Sequence, residues 1–314
     1  MGASTGSEDA PVSRVETAES VVLPPPRELA LLAVAISAVS TSAPIIASTA
    51  APALAIAFWR NGLASVALLP VALLRARTEL RMLARREWLL CLLAGVFLAG
   101  HFATWVPSVR LTSVASATAL VATQPIWAAL LARAAGRRVS AGVWLGIVVS
   151  VAGAAVLTGV DFAVSGRAVL GDLLAVIGGA LAAAYVTAGA AVRARVSTTA
   201  YTFVCYSSCS VLLLVACLAG RQRLGGYDAA TWVRLAALTV GAQLLGHSLV
   251  NVVLRSTSPT VVSLAILFEV PGAGIIAAVW LGQLPAVSAL PGLVLLVAGV
   301  GLVIRAGARG VPVE

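Results

Sequence analysis

Apolar blocks of about 18–22 residues, parted by short polar segments, fill the chain from residue 29 to residue 304. Each block is long enough to cross a bilayer core of about 30 Å as a helix. No soluble fold of 314 residues, 60% hydrophobic and 11% charged, could hide that much apolar surface. Lipid offers the backbone no hydrogen bonds, and continuous blocks of this length satisfy theirs as helices. The expected fold class is therefore an all-α membrane protein. Ten transmembrane helices are expected, at 29–47, 53–74, 88–108, 112–132, 141–159, 170–191, 199–219, 231–254, 258–281 and 286–304.

The formal charge is +9, carried by arginine with no lysine. In a soluble protein this would suggest nucleic acid. Here the arginines lie between apolar blocks and act as topology signals, so no nucleic-acid partner is expected. With a cytoplasmic N-terminus, the inner segments hold Arg14, Arg27, Arg75, Arg77, Arg81, Arg85, Arg86, Arg133, Arg137, Arg138, Arg193, Arg195, Arg255, Arg305 and Arg309. The outer side holds Arg110, Arg167, Arg221, Arg223 and Arg234. This bias predicts a multi-pass protein of the cell inner (plasma) membrane with both termini cytoplasmic. Residues 1–27 and 306–314 read as cytoplasmic tails, the first disordered and without signal-peptide character.

An internal repeat organises the blocks. A shift of 146 residues places Gly95 on Gly241, Gly100 on Gly246, His101 on His247, Pro125 on Pro271 and Gly146 on Gly292. Val151-Ala152-Gly153 falls on Val297-Ala298-Gly299. Near spans 1 and 6 the register moves by about two, pairing Glu28-Leu29 with Asp172-Leu173. Each half, 28–159 and 170–305, then holds five spans. An odd number inverts the second half relative to the first, the plan of many secondary transporters.

The motifs resemble the EamA type of the drug/metabolite transporter superfamily. Span 2 carries Phe58-Trp59-Arg60-Asn61-Gly62, similar to the family's aromatic-x-Arg start. Span 4 opens Leu111-Thr112-Ser113-Val114-Ala115-Ser116-Ala117 and carries Pro125; span 9 has Ser256-Thr257-Ser258-Pro259 and Glu269-Val270-Pro271. Where family members often have Gly-Glu after spans 4 and 9, this chain has Gly136-Arg137 and Gly282-Gln283. The resemblance implies export of amino acids, related metabolites or amphiphilic compounds.

Polar groups at membrane depth are costly, so they mark cavities or partners. Glu269 is expected near mid-membrane as the only deep acid, beside a kink at Pro271, where it could bind a cationic group or exchange a proton. Structural bonding to a neighbouring helix is the alternative. Arg60, about 10 Å into span 2 at 1.5 Å per residue, could hold a substrate carboxylate, snorkel outward or brace the fold. Gln243, His247 and Asn251 are spaced to share one helical face. Their repeat-related positions are Phe97, His101 and Trp105, so a polar stripe is expected to face an aromatic one across a central cavity. Helix–helix hydrogen bonding is the plainer reading of these residues. Gln124, Trp127 and Tyr185 complete the candidate substrate-binding set. Cys91, Cys205, Cys209 and Cys217 read as small buried hydrophobes.

A secondary transporter working by alternating access fits these features best, without cofactor or metal. Its expected partners are a small-molecule substrate and membrane lipid, with protons a candidate coupling ion. Both monomer and homodimer remain open. A carrier of nucleotide sugars or other anionic metabolites is the alternative cargo class, although several cations would then be needed at depth. An integral membrane enzyme is the rival from another class, but the clustered His, Asp, Glu or Cys of such a site is not visible.

Overall fold

The computed structural model describes residues 25–308 except 137, 194, 247–248, 251–252 and 254–264. Among the described residues the chain is all helix, with no strand. The first half holds α1 (Pro26–Ser40), α2 (Ser42–Ser48), α3 (Ala53–Val71), α4 (Arg77–Met82), α5 (Arg85–Ser108), α6 (Val114–Val121), α7 (Gln124–Ala134) and α8 (Ala141–Val164). The second holds α9 (Gly166–Arg193), α10 (Thr198–Ala219), α11 (Ala229–Ala237), α12 (Glu269–Leu281) and α13 (Leu290–Ala308). A π-helical turn, Ala72–Ala76, joins α3 to α4, and a longer π-helical segment, Leu238–Gly246, continues α11.

Among the described residues, seven segments are long and apolar enough to cross a membrane: Pro26–Ser48, Ala53–Met82, Arg85–Ser108, Val114–Ala134, Gly166–Arg193, Thr198–Ala219 and Val287–Ala306. Two shorter apolar helices, Ala141–Leu157 and Glu269–Leu281, fall on the expected fifth and ninth spans. The expected eighth span corresponds to α11 and the π segment, and its last part lies outside the described residues. Large apolar side chains such as Leu74, Val148, Val215 and Val279 stand on the outside of the bundle, where lipid replaces water as their solvent.

Spans 2 and 6 are among those whose boundaries differ from the expected ones. Span 2 does not end at residue 74: the helix passes through the π turn after Pro70 and runs on to Met82. A π turn relocates the hydrogen bonds that proline disturbs. Span 6 starts earlier than expected, at Gly166, where the polar Ser165 and Arg167 masked the helix in the hydropathy pattern.

The two halves interlock through α8 and α13. A Cβ on Gly146 would meet the Gly299 carbonyl at 2.8 Å, and one on Gly153 would meet the Gly292 carbonyl at 2.7 Å. The reverse contacts hold as well: Gly299 against the Gly146 carbonyl and Gly292 against the Gly153 carbonyl. As the number rises along α8 it falls along α13, so the two helices are antiparallel. The 146-residue shift turns one contact pair into the other, which makes the interface isologous. Ser150 Oγ also donates to the Leu296 carbonyl, its own repeat-related position, at 3.5 Å. Elsewhere α5 packs on α9 and α3 on α10.

These glycines have a measurable consequence. A Cβ at Gly153 would lie 2.4 Å from the Leu296 backbone nitrogen, where only backbone can give way. Gly153→Ala is expected to destabilise the protein by about 1–3 kcal/mol through overpacking. Thermal unfolding in detergent measures this. Gly274→Ala, with nothing within 4 Å of the new atom, serves as the neutral control.

Candidate functional site

Arg60 stands on α3 seven residues beyond its start and is only 2% exposed. Its Nε donates to Gln243 Oε1 at 2.5 Å, and its Nη1 donates to Ser42 Oγ at 3.0 Å. Its guanidinium carbon lies 4.6 Å from the centre of the Phe102 ring. One side chain thus ties together α2, α3, α5 and the π segment of the second half. Gln243 reaches it because the π segment, unlike an α-helix, widens the turn on which that residue sits. Snorkelling to the surface is excluded for Arg60: its charge stays inside and is met by polar oxygens and an aromatic face.

Glu269 is the first residue of α12 and lies within electrostatic reach of Arg60. Its side chain is half-buried. The expected kink at Pro271 takes another form. The helix breaks earlier, in a turn at Leu267–Phe268, and α12 starts afresh at Glu269. Pro271 then occupies the first helical turn, where a missing N–H removes no intrahelical bond. Span 4 breaks at the related place: α6 stops at Val121, Ala122 and Thr123 form a turn, and α7 begins at Gln124-Pro125.

His101 and Trp105 are stacked, with ring centres 5.7 Å apart and planes 13° from parallel. The His101 Nδ1 donates to the Gly178 carbonyl of α9 at 2.9 Å, which fixes that nitrogen as protonated. Two members of the polar stripe expected to face the aromatic one, His247 and Asn251, lie outside the described residues. Phe102 is the α5 residue whose ring lies under the Arg60 guanidinium, with His101 beside that ring, and His101 and Trp105 are engaged with α9. The reason is Gly178, which has no side chain to hold the two helices apart. The indole Nε1 of Trp105 is buried without a partner among the described residues.

Tyr185 approaches Tyr201 of α10, and Tyr206 on the same helix approaches Gln243. Cys205, Cys209 and Cys217 are buried on that helix, and Cys91 is buried on α5. Gln124 opens α7 and is not joined to the Arg60 group among the described residues. His247 and Asn251 lie outside the described residues.

The structure therefore brings Arg60, Gln243 and Glu269 into one neighbourhood and adds Ser42, Phe102 and Tyr206. Ser42 gave no sequence signal, being one small polar residue among many. Tyr206 could have been found from its position one turn before Cys209 on the face that α10 turns inward. Asp172 is a second buried acid, 1% exposed, so Glu269 is not alone. It was hidden by the late start assigned to span 6. The helix begins at Gly166, which puts Asp172 about 9 Å along it at 1.5 Å per residue.

A family model described as the EamA-like transporter family matches residues 28–159 and 169–305. A solved structure described only as the crystal structure of a protein aligns over 88% of this chain and 96% of its own, at 18% identity with a TM-score of 0.63. That likeness concerns the fold. No curated protein matches the chain. The two matched stretches cover most of the chain and coincide with its two sequence halves, so this protein belongs to the EamA-like transporter family, a family of membrane transporters of small molecules.

Proposed function

We propose that the chain is a secondary transporter that exports small metabolites, amino acids or amphiphilic compounds among them, by alternating access around Arg60 and Glu269. The observation that carries this reading is the Arg60–Gln243 bond, which joins the two repeats by a polar contact deep in the bundle. The antiparallel, isologous α8–α13 interface supports ten spans arranged as two inverted repeats, and the arginine bias supports cytoplasmic termini. A site at such a repeat interface is exposed to either side when one half rocks against the other.

The chemistry follows from the donor set. Two of the five N–H groups of Arg60 are taken by Gln243 and Ser42. The remainder can grip a carboxylate, and Phe102 presents an aromatic surface beside it. An ionised Glu269 attracts an ammonium group and also pulls on Arg60. Protonation of Glu269, or arrival of a substrate carboxylate at Arg60, relaxes that attraction between α12 and α3. A zwitterionic or amphiphilic amine suits the pair better than a nucleotide sugar, whose phosphates would require more than one deep cation.

Purified protein in vesicles, challenged with a metabolite panel with and without a pH gradient, is expected to move zwitterionic or amphiphilic amines. Gradient-driven movement should exceed passive leak several-fold. Failure of every panel member under both conditions would count against the transport reading. Orientation is checked separately. A cysteine placed at Val313 should react with an impermeant maleimide only after cells are permeabilised, against a quiet background because the four native cysteines are buried. Labelling of intact cells would remove the inverted plan.

A further inference from the structure

At the end of the bundle where α5 stops and α3 begins, a cavity of about 650 Å³ opens outward. Three arginines from three separate connections line it: Arg110 after α5, Arg167 at the start of α9 and Arg223 in the loop after α10. None of its lining residues is acidic. We propose that this cavity is an oxyanion-binding vestibule that takes a phosphate or carboxylate group, distinct from the Arg60 neighbourhood.

Three lines of geometry support it. First, two of the arginines are held in place by backbone carbonyls, which fix their position without neutralising their charge. Arg110 Nη1 donates to the carbonyls of Thr49 at 3.1 Å and Ala51 at 2.5 Å. Arg223 Nε donates to the Gly225 carbonyl at 3.1 Å and its Nη2 to that of Gly226 at 2.5 Å. The left-handed backbone of Gly226, at φ 70°, turns that loop back toward the guanidinium. Tyr227 closes the arrangement by donating its hydroxyl to the Arg223 carbonyl and lying under the guanidinium at 5.7 Å. Second, Arg167 makes no bond to another described residue, so its fork is available to an incoming anion. Third, α3 begins at this cavity with Pro52 and Ala53 and has no side-chain cap, so its unpaired N–H groups add positive potential.

The arginine bias makes the cluster more telling. This mouth is on the side to which few arginines are assigned, and three of them converge on one cavity. Topology signalling does not require convergence; anion binding does. The inference holds whichever way the chain is inserted, because it rests on the cavity alone.

The same chemistry is offered by a soluble anion and by the headgroup of an anionic lipid, and two arms of one experiment separate them. In neutral detergent, pyrophosphate is titrated and the thermal midpoint followed. In nanodiscs, phosphatidylglycerol is compared with phosphatidylcholine. Arg167→Gln and Arg223→Gln are each expected to weaken the stabilising anion's apparent affinity by about tenfold, the loss of one charge-assisted contact. Arg138→Gln, on the opposite side, should leave it unchanged. Stabilisation by pyrophosphate assigns the site to soluble anions, and stabilisation by phosphatidylglycerol alone assigns it to a headgroup. Arg167→Gln removes no bond to a described residue, so its fold should survive even if that of Arg223→Gln does not. Absence of stabilisation in both arms, or stabilisation that persists undiminished in Arg167→Gln, would overturn the proposal.

Discussion

Arg60→Met should lose transport and lower the thermal stability of the protein at the same time. The side chain is close to isosteric along its stem, so the change removes the planar fork and its charge and little else. Two oxygens, Gln243 Oε1 and Ser42 Oγ, then remain inside the bundle without their donor. A buried polar group left unpaired costs roughly 1–3 kcal/mol. The opposing effect is that Met no longer buries a charge, and an isolated buried charge is itself costly. The charge here is compensated by two oxygens, the Phe102 ring and the field of Glu269. The loss should therefore win. A double-mutant cycle separates the terms. Coupling between Arg60→Met and Gln243→Leu is expected at about 1.5–3 kcal/mol, the range for a hydrogen bond to a charged donor. Arg60→Lys should keep charge but not transport, because one ammonium cannot reproduce the directions of the fork. Additive mutants, with no coupling, would mean that the 2.5 Å contact contributes nothing to holding the repeats together.

Much of the fold was legible because lipid imposes a simple code. A block of about 20 apolar residues has one backbone solution in a bilayer, and among the described residues seven segments long and apolar enough to span lie at or near expected places. The repeat was legible because glycine and proline are matched by backbone geometry, not by side-chain taste. Gly146, Gly153, Gly292 and Gly299 recur in sequence because one symmetric helix crossing needs all four. What remained hidden depended on local backbone departures. The π segment at Leu238–Gly246 shifts Gln243 toward Arg60, and no periodicity argument built on 3.6 residues per turn could place it. A proline is visible in a sequence and a broken turn is not, so Pro271 points to a kink where the helix in fact restarts at Glu269. The contact of the His101 ring nitrogen with α9 depends on Gly178, which lets that helix come close, and residue spacing along α5 carries no trace of it. Hydropathy identifies which residues are deep. Only packing decides which deep residues meet.

Glu269→Gln should abolish the response of transport to a pH gradient while leaving the protein folded. Glutamine matches glutamate in size and hydrogen-bonding reach but carries no exchangeable charge near neutral pH. The site gives that charge two tasks. At the first position of α12 the carboxylate faces the positive end of a helix, which favours its ionised form there by roughly 0.3–1 kcal/mol. It also lies in the field of Arg60, so its charge state bears on how α12 sits against α3. A proton arriving from one side would cancel both attractions, and one leaving to the other side would restore them. That is the cycle a coupled carrier requires. Its fold role is small by comparison: α12 is anchored through the close approach of Gly272 to Ser40 of α1, where a Cβ would meet Ser40 Oγ at 2.4 Å, and the mutation does not touch that contact. Gradient-driven uptake should accordingly fall at least about tenfold, the loss of a transition worth roughly 1.4 kcal/mol or more. Exchange of substrate across the membrane without net proton movement should persist. Glu269→Asp, which keeps the charge on a shorter stem, should retain pH dependence at reduced rate. A mutant Gln protein that transports with the wild-type pH profile would sink the coupling role. One that fails to accumulate or melts far below wild type would instead make Glu269 a brace, and the coupling group would have to be sought at Asp172, an acid buried in α9.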